Sequence, residues 1–127
     1  GLGDVYKRQV RGNVNDVFYY YREQAAVQAK QFQRALDDLA KAIELNPKEL
    51  TYFSELAVVN IRVGRNEEAI KVLKDALEID SKYAEAYRLI GVAQLQLKQN
   101  KEACASFAKA KELGDPNVDA LIEKHCK

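Results

Sequence analysis

The sequence predicts an all-α fold: a solenoid of antiparallel helix hairpins with seven helices. Three observations predict it. Apolar residues recur at helical spacing in two blocks, 50–63 and 66–79, separated by Gly64-Arg65. A glycine there can take the positive φ that ends a helix, so the two blocks form an αα-hairpin. Shifting the chain by 34 residues then lays like on like. Ala69 falls on Ala35 and Ala103, Ala76 on Ala42 and Ala110, Leu73 on Leu39 and Phe107, and Phe53 on Tyr19 and Tyr87. One hairpin cannot bury its apolar face alone, so the three units, 16–49, 50–83 and 84–117, must stack.

Taken in order, residues 1–15 fit no unit and read as a disordered or artefactual tail. Unit one begins near Asn15-Asp16, with Asp16 as an N-cap. Its first helix departs from the others. Arg22 and Glu23 stand where the later units have Leu56 or Ile90 and Ala57 or Gly91. A buried Glu is costly, so either this helix is rotated or that face looks to solvent, as suits a terminal unit. Tyr19, Tyr20 and Tyr21 point about 100° apart on a helix, so at least one is exposed or lines a groove. The second helix, 32–45, carries Phe32, Leu36, Leu39, Ala40 and Ile43 on one face and stops at Asn46-Pro47. Unit two is the most regular. Unit three has helices over 84–97 and 100–113. Gly91 lies in mid-helix, at a cost of about 1 kcal/mol against Ala. Gly114 and Asp115-Pro116 turn the chain into a last helix over 118–127. Its stripe of Val118, Leu121, Ile122, His125 and Cys126 covers the open end of unit three.

Composition excludes several functions. At 127 residues the chain is one domain. It carries 20 basic and 19 acidic side chains for a net +1, which argues against an electrostatic nucleic-acid binder. No apolar run approaches the roughly 18–20 residues of a membrane span. His125 is the only histidine, so no second imidazole supports a metal site. Beside Cys126 on a helix it points about 100° away, too far round to share a proton with the thiol. No Gly-rich phosphate loop and no H-E-x-x-H is present. No catalytic residue, metal or cofactor is therefore expected.

Cys104 and Cys126 lie about equally far from the turn at 114–116, so an antiparallel pair of helices brings them level. Cys104 also aligns with the apolar Leu36 and Ile70. Two readings stand. The cysteines are buried reduced neighbours, or a disulfide closing a loop of about 22 residues and implying an oxidising compartment.

The 34-residue period resembles the tetratricopeptide repeat family over residues 16–117. So does the spacing of aromatic, small residue, Ala, Leu or aromatic, and Ala, closed by Asn46-Pro47 or Asp80-Ser81. The resemblance explains Gly91 as a small-residue packing position. It implies a right-handed superhelix whose first helices line a concave groove that binds a protein or peptide. The inward positions it implies are Tyr20, Gln24, Ser54, Glu55, Val58, Arg88, Val92 and Gln96. The best-known groove of the family grips a peptide's terminal carboxylate with Lys, Asn and Arg. At the matching places this chain has Tyr20, Gln24, Glu55, Glu85 and Leu89, so no such clamp is expected. The expected function is a non-catalytic interaction scaffold. A bacterial protein is expected. The alternative is a structural module, a fragment of a longer repeat protein, whose repeats stack on further upstream repeats or self-associate through the N-terminal repeat, with no peptide ligand of its own. A bacterial periplasmic location follows only if the cysteines are bonded.

Overall fold

A computed structural model describes residues 13–127. Seven helices and no strand occur among the described residues: α1 (Asn13–Gln28), α2 (Phe32–Leu45), α3 (Leu50–Arg62), α4 (Asn66–Ile79), α5 (Ala84–Gln96), α6 (Asn100–Glu112) and α7 (Asp119–His125). The tail expected over 1–15 lies outside the described residues except for its last three, which begin α1. Each helix packs on the next in sequence, and α3 also meets α5, so first helices of neighbouring hairpins lie side by side. The result is the expected solenoid of three hairpins closed by a short α7.

The hairpin turns share one backbone solution. A left-handed residue follows each first helix: Lys30 (φ 59°), Gly64 (φ 85°) and Lys98 (φ 65°). The next residue's N–H reaches back to a carbonyl five residues earlier, Gln31 to Ala26, Arg65 to Asn60 and Gln99 to Gln94, each at 2.8 Å. This pattern satisfies carbonyls that the helix end would otherwise orphan. Gly114 (φ 92°) repeats it between α6 and α7, with Asp115 N–H donating to Ala110 at 3.0 Å.

The equivalent alanines carry the core. Ala35, Ala69 and Ala103 have no exposed surface, nor do Ala42, Ala76 and Ala110. Leu39, Leu73 and Phe107, also fully buried, sit at a third equivalent position. In unit three the largest of these meets the smallest partner: a Cβ at position 91 would run into the Phe107 ring, so only glycine fits. On α2 the buried face is Ala35, Asp38, Leu39 and Ala42, while Ala40, expected inside, is exposed. Phe32, Leu36 and Ile43 are half-buried.

Unit one is where polar groups enter the interior. Asp16 is no N-cap, because α1 starts at Asn13. It is buried, and its carboxylate accepts from the Tyr52 hydroxyl at 2.5 Å and from Asn46 Nδ2 at 3.3 Å. That contact ties α1 to α3. Arg22 turns sideways and pairs with buried Asp38 on α2, Nη2 to Oδ1 at 2.6 Å. Its guanidinium also lies over the rings of Phe18 and Tyr19. Glu23 corrects the solvent-facing alternative: it is 1% exposed, and neither carboxylate oxygen has a hydrogen-bond partner among the described residues. Burial first, then the charges of Glu55 and Asp38, push its carboxyl up to about 7.

At the other end α7 is seven residues long and is held by few groups. Val118 is fully buried, and Leu121, Ile122 and Cys126 pack beside it against Ala103, Phe107 and Ala110. His125, expected on that stripe, is exposed instead. The structure joins Cys104 to Cys126 through their sulfurs, with Cα atoms 5.7 Å apart.

Two outcomes are expected. Ionising Glu23 in the fold is penalised because its pKa is raised; the penalty is absent below about 4.5 and complete above about 7. Glu23→Ala should therefore gain stability over the wild type by about 1–3 kcal/mol more at pH 8 than at pH 4.5, measured by urea unfolding. An equal difference at both pH values would contradict a buried ionisable Glu23. Second, unreduced protein should titrate no thiols in denaturant, and a reductant should remove about 3 kcal/mol of stability for the 22-residue loop. Two thiols titrating without reductant would contradict the bond.

Candidate functional site

The face expected to be concave is formed by the first helices α1, α3 and α5. The 34-residue period puts equivalent residues of the first helices in register across the stack. Tyr20, Ser54 and Arg88 form one row, and Gln24, Val58 and Val92 the next. These side chains differ sharply in their availability.

Tyr20 is half-buried. Its ring lies 5.3 Å from that of Tyr52 and 5.8 Å from that of Tyr21, itself 63% exposed. Burial and then the charge of Glu55 raise the Tyr20 phenol; a hydrogen bond with Gln24 acts the other way, and Glu23 adds to the rise. Tyr20, Gln24, Glu55 and Glu23 therefore gather at one place between α1 and α3. Glu55 is half-buried, and its carboxyl is raised by burial and then by Glu85 on α5. The three acids, one from each first helix, thus feel one another in succession along the stack.

The other expected groove residues are more committed. Ser54 is buried: its hydroxyl donates to the Thr51 carbonyl at 3.0 Å and accepts from Tyr83 at 3.1 Å. The Tyr83 hydroxyl also lies 2.9 Å from a Glu85 carboxylate oxygen, and burial is the main cause that lifts its pKa to about 12. Arg88 does not stand free in the groove. Its Nε donates to buried Asp115 at 2.9 Å, and Nη2 lies 3.5 Å from Glu85. Asp115 also accepts from the Asn117 N–H at 2.7 Å, so Arg88 anchors the turn that leads into α7. Val58 and Val92 are half-buried against the core shared by units two and three, and Gln96 is exposed. Leu89 is buried.

Sequence reasoning missed Glu23 as a member of this cluster, although its mismatch with Ala57 and Gly91 marked the position. It also missed Tyr83, which bridges Ser54 and Glu85 from the loop before α5. The partner of Arg88 lies 27 residues downstream and leaves no local pattern. Among the described residues, no group of three His, Cys, Asp or Glu is placed to hold a metal ion. No helix among them is long and apolar enough to cross a membrane.

Comparison with known proteins agrees with this architecture. A family model described as a TPR repeat matches residues 61–98, and one described as a tetratricopeptide repeat matches residues 84–113. No curated protein matches the chain in sequence. Among solved structures, the Arabidopsis OM64 TPR domain is 28% identical at a TM-score of 0.78, covering 87% of this chain and 92% of that one. The first TPR of Spaghetti (RPAP3), bound to the HSP90 peptide SRMEEVD, is 17% identical at 0.80, covering 92% and 95%. The second TPR domain of human RPAP3, in complex with the HSP70 peptide SGPTIEEVD, is 20% identical at 0.78, covering 90% and 97%. Repeat period, hairpin geometry, matching models and shared fold lead to one conclusion: residues 61–113 are tetratricopeptide repeats, and the described chain takes the fold of a TPR domain.

Proposed function

We propose that this chain is a non-catalytic interaction scaffold that binds a segment of another protein along the concave face of α1, α3 and α5. The observation that carries this is the cluster of Tyr20, Gln24, Glu23 and Glu55 between first helices, in which the buried Glu23 carboxyl has no hydrogen-bond partner among the described residues. A half-buried tyrosine is among the side chains that anchor interfaces at low entropic cost. Two domains of the same fold carry peptides, which supports the mode of binding. Their ligands end in EEVD and are acidic. Here Tyr20, Gln24, Glu55, Glu85 and Leu89 offer no cation at the places where such a tail is gripped, so the ligand differs in charge. Binding of this kind requires no cofactor.

A second function, self-association, is favoured by one observation. Phe18 (54% exposed) and Tyr21 (63%) lie three residues apart on one face of α1, where another copy could pack.

The experiment probes an array of ten-residue peptides with the wild type and with Tyr20→Ala/Gln24→Ala. Arg88 is left intact, because its removal strands the buried Asp115 carboxylate. The wild type should retain a subset of peptides. The variant, equally folded by circular dichroism, should lose them by about tenfold, the effect of about 1.4 kcal/mol. Identical binding by both would contradict the groove. A wild-type dimer in sedimentation that Phe18→Ser/Tyr21→Ser converts to monomer, with no peptide retained, would put self-association in its place.

A further inference from the structure

Glu23 is a buried carboxyl that no group among the described residues satisfies. It is 1% exposed, and both oxygens lack a partner. Natural interiors rarely leave such a group without a reason, because a stranded acceptor costs about 1–3 kcal/mol, and more if charged. Its surroundings point one way. On α3, Glu55 adds a second carboxylate beside it, and Glu85 on α5 in turn faces Glu55. Tyr20, whose phenol feels both Glu55 and Glu23, is half-buried, so the cluster reaches the concave surface.

Among the described residues, the nearby cations are already paired. Arg22 is held by Asp38 through Nε and Nη2, at 2.6–3.1 Å. Arg88 is held by Asp115 and Glu85. The carboxylates are not grouped for a metal ion, which draws three or more ligands onto one point. What remains is a cation on a long stem whose head enters beside half-buried Tyr20 and Glu55 to reach the acids.

We infer that the N-terminal half of the concave face binds a basic peptide, with a Lys or Arg side chain of that peptide seated between Glu23 and Glu55. This rests on the proposed peptide-binding groove and assigns its ligand class. It inverts the charge of the EEVD peptides carried by the fold neighbours. The incoming cation satisfies the orphaned oxygens of Glu23 and offsets the crowding of like charges along α1, α3 and α5. It also makes binding depend on pH. The groups that face Glu23 are Tyr20 and Arg22 on its own helix, Asp38 from α2 and Glu55 from α3. Arg22 neutralises Asp38, so Glu55 is the uncompensated neighbour. A Glu23 carboxyl that holds its proton up to about 7 must release it to receive a cation, so affinity rises as pH rises through that value.

The test is fluorescence anisotropy at low salt with two labelled, end-blocked hexapeptides that differ only at their centre. One carries Arg-Lys there and the other Glu-Glu. At pH 8 the basic peptide should bind at least about tenfold more tightly. Glu23→Gln and Glu55→Gln should each weaken it by about tenfold, while Glu67→Gln, an exposed charge on α4, should not. Binding should tighten between pH 6 and pH 8 in the wild type and not in Glu23→Gln. Glu23→Gln removes a buried charge and leaves the fold intact, which its melting curve checks. Several results would overturn the inference. Preference for the Glu-Glu peptide would do so and leave the groove standing; absence of saturable binding to either would remove both. Equal weakening by Glu67→Gln would reduce the effect to net charge. Spermine displacing the basic peptide at equal amine concentration would assign the site to free polyamines instead.

Discussion

Six alanines with no exposed surface set the spacing of this molecule. Ala35, Ala69 and Ala103, and Ala42, Ala76 and Ala110, recur on the second helix of each hairpin and let the first helices approach closely. A larger side chain at any of them would force helices apart, and overpacking a filled core costs about 1–3 kcal/mol. Because each hairpin meets only its neighbours, the constraint repeats along the chain without long-range closure. The rest adapts to it. Unit three places Phe107 against Gly91 and unit two places Leu73 near Ala57, so in these two units the larger residue on the second helix meets the smaller one on the first.

Unit one breaks this pattern, and the break is polar. Where Ala57 and Gly91 let helices meet, α1 carries Glu23, and it is buried all the same. The neighbouring departures have partners: Arg22 has Asp38, and Asp16 has Tyr52 and Asn46. Glu23 has none. A group kept inside at a cost, facing Glu55 in a row that leads to the concave surface, joins the fold to the function. On the proposed reading, the residue that departs from the small-residue pattern of the other units is also the one that receives a ligand of opposite charge.

Much of the fold was legible in the sequence, because its cause is local and periodic. The alanine period fixed the units, and Gly64 marked the turn that Lys30 and Lys98 repeat at equivalent positions. Counting outward from the turn at 114–116 brought Cys104 level with Cys126, as the structure has them. The candidate site was only partly legible. Which residues sit on first helices follows from helical period. Which of them are free does not, since that depends on polar contacts between distant parts of the chain. Arg88 read as an open anchor until Asp115, 27 residues on, was found beneath it. Ser54 read as groove lining until Tyr83 covered it, 29 residues away. Glu23 was conspicuous as a mismatch, but identity alone did not say whether α1 turned it outward. His125 and Ala40 erred the other way: both lie on apolar stripes that extend beyond the surface their neighbours cover.

The most direct measurement is the carboxyl titration of Glu23 in the free protein, followed by carbon-13 NMR of its side chain. The account predicts a midpoint near 7, well above the ordinary 4.5, with the resonance following that single step. A midpoint near 4.5 would mean that Glu23 is solvated or paired. The buried orphan on which both the packing of unit one and its ligand depend would then not exist.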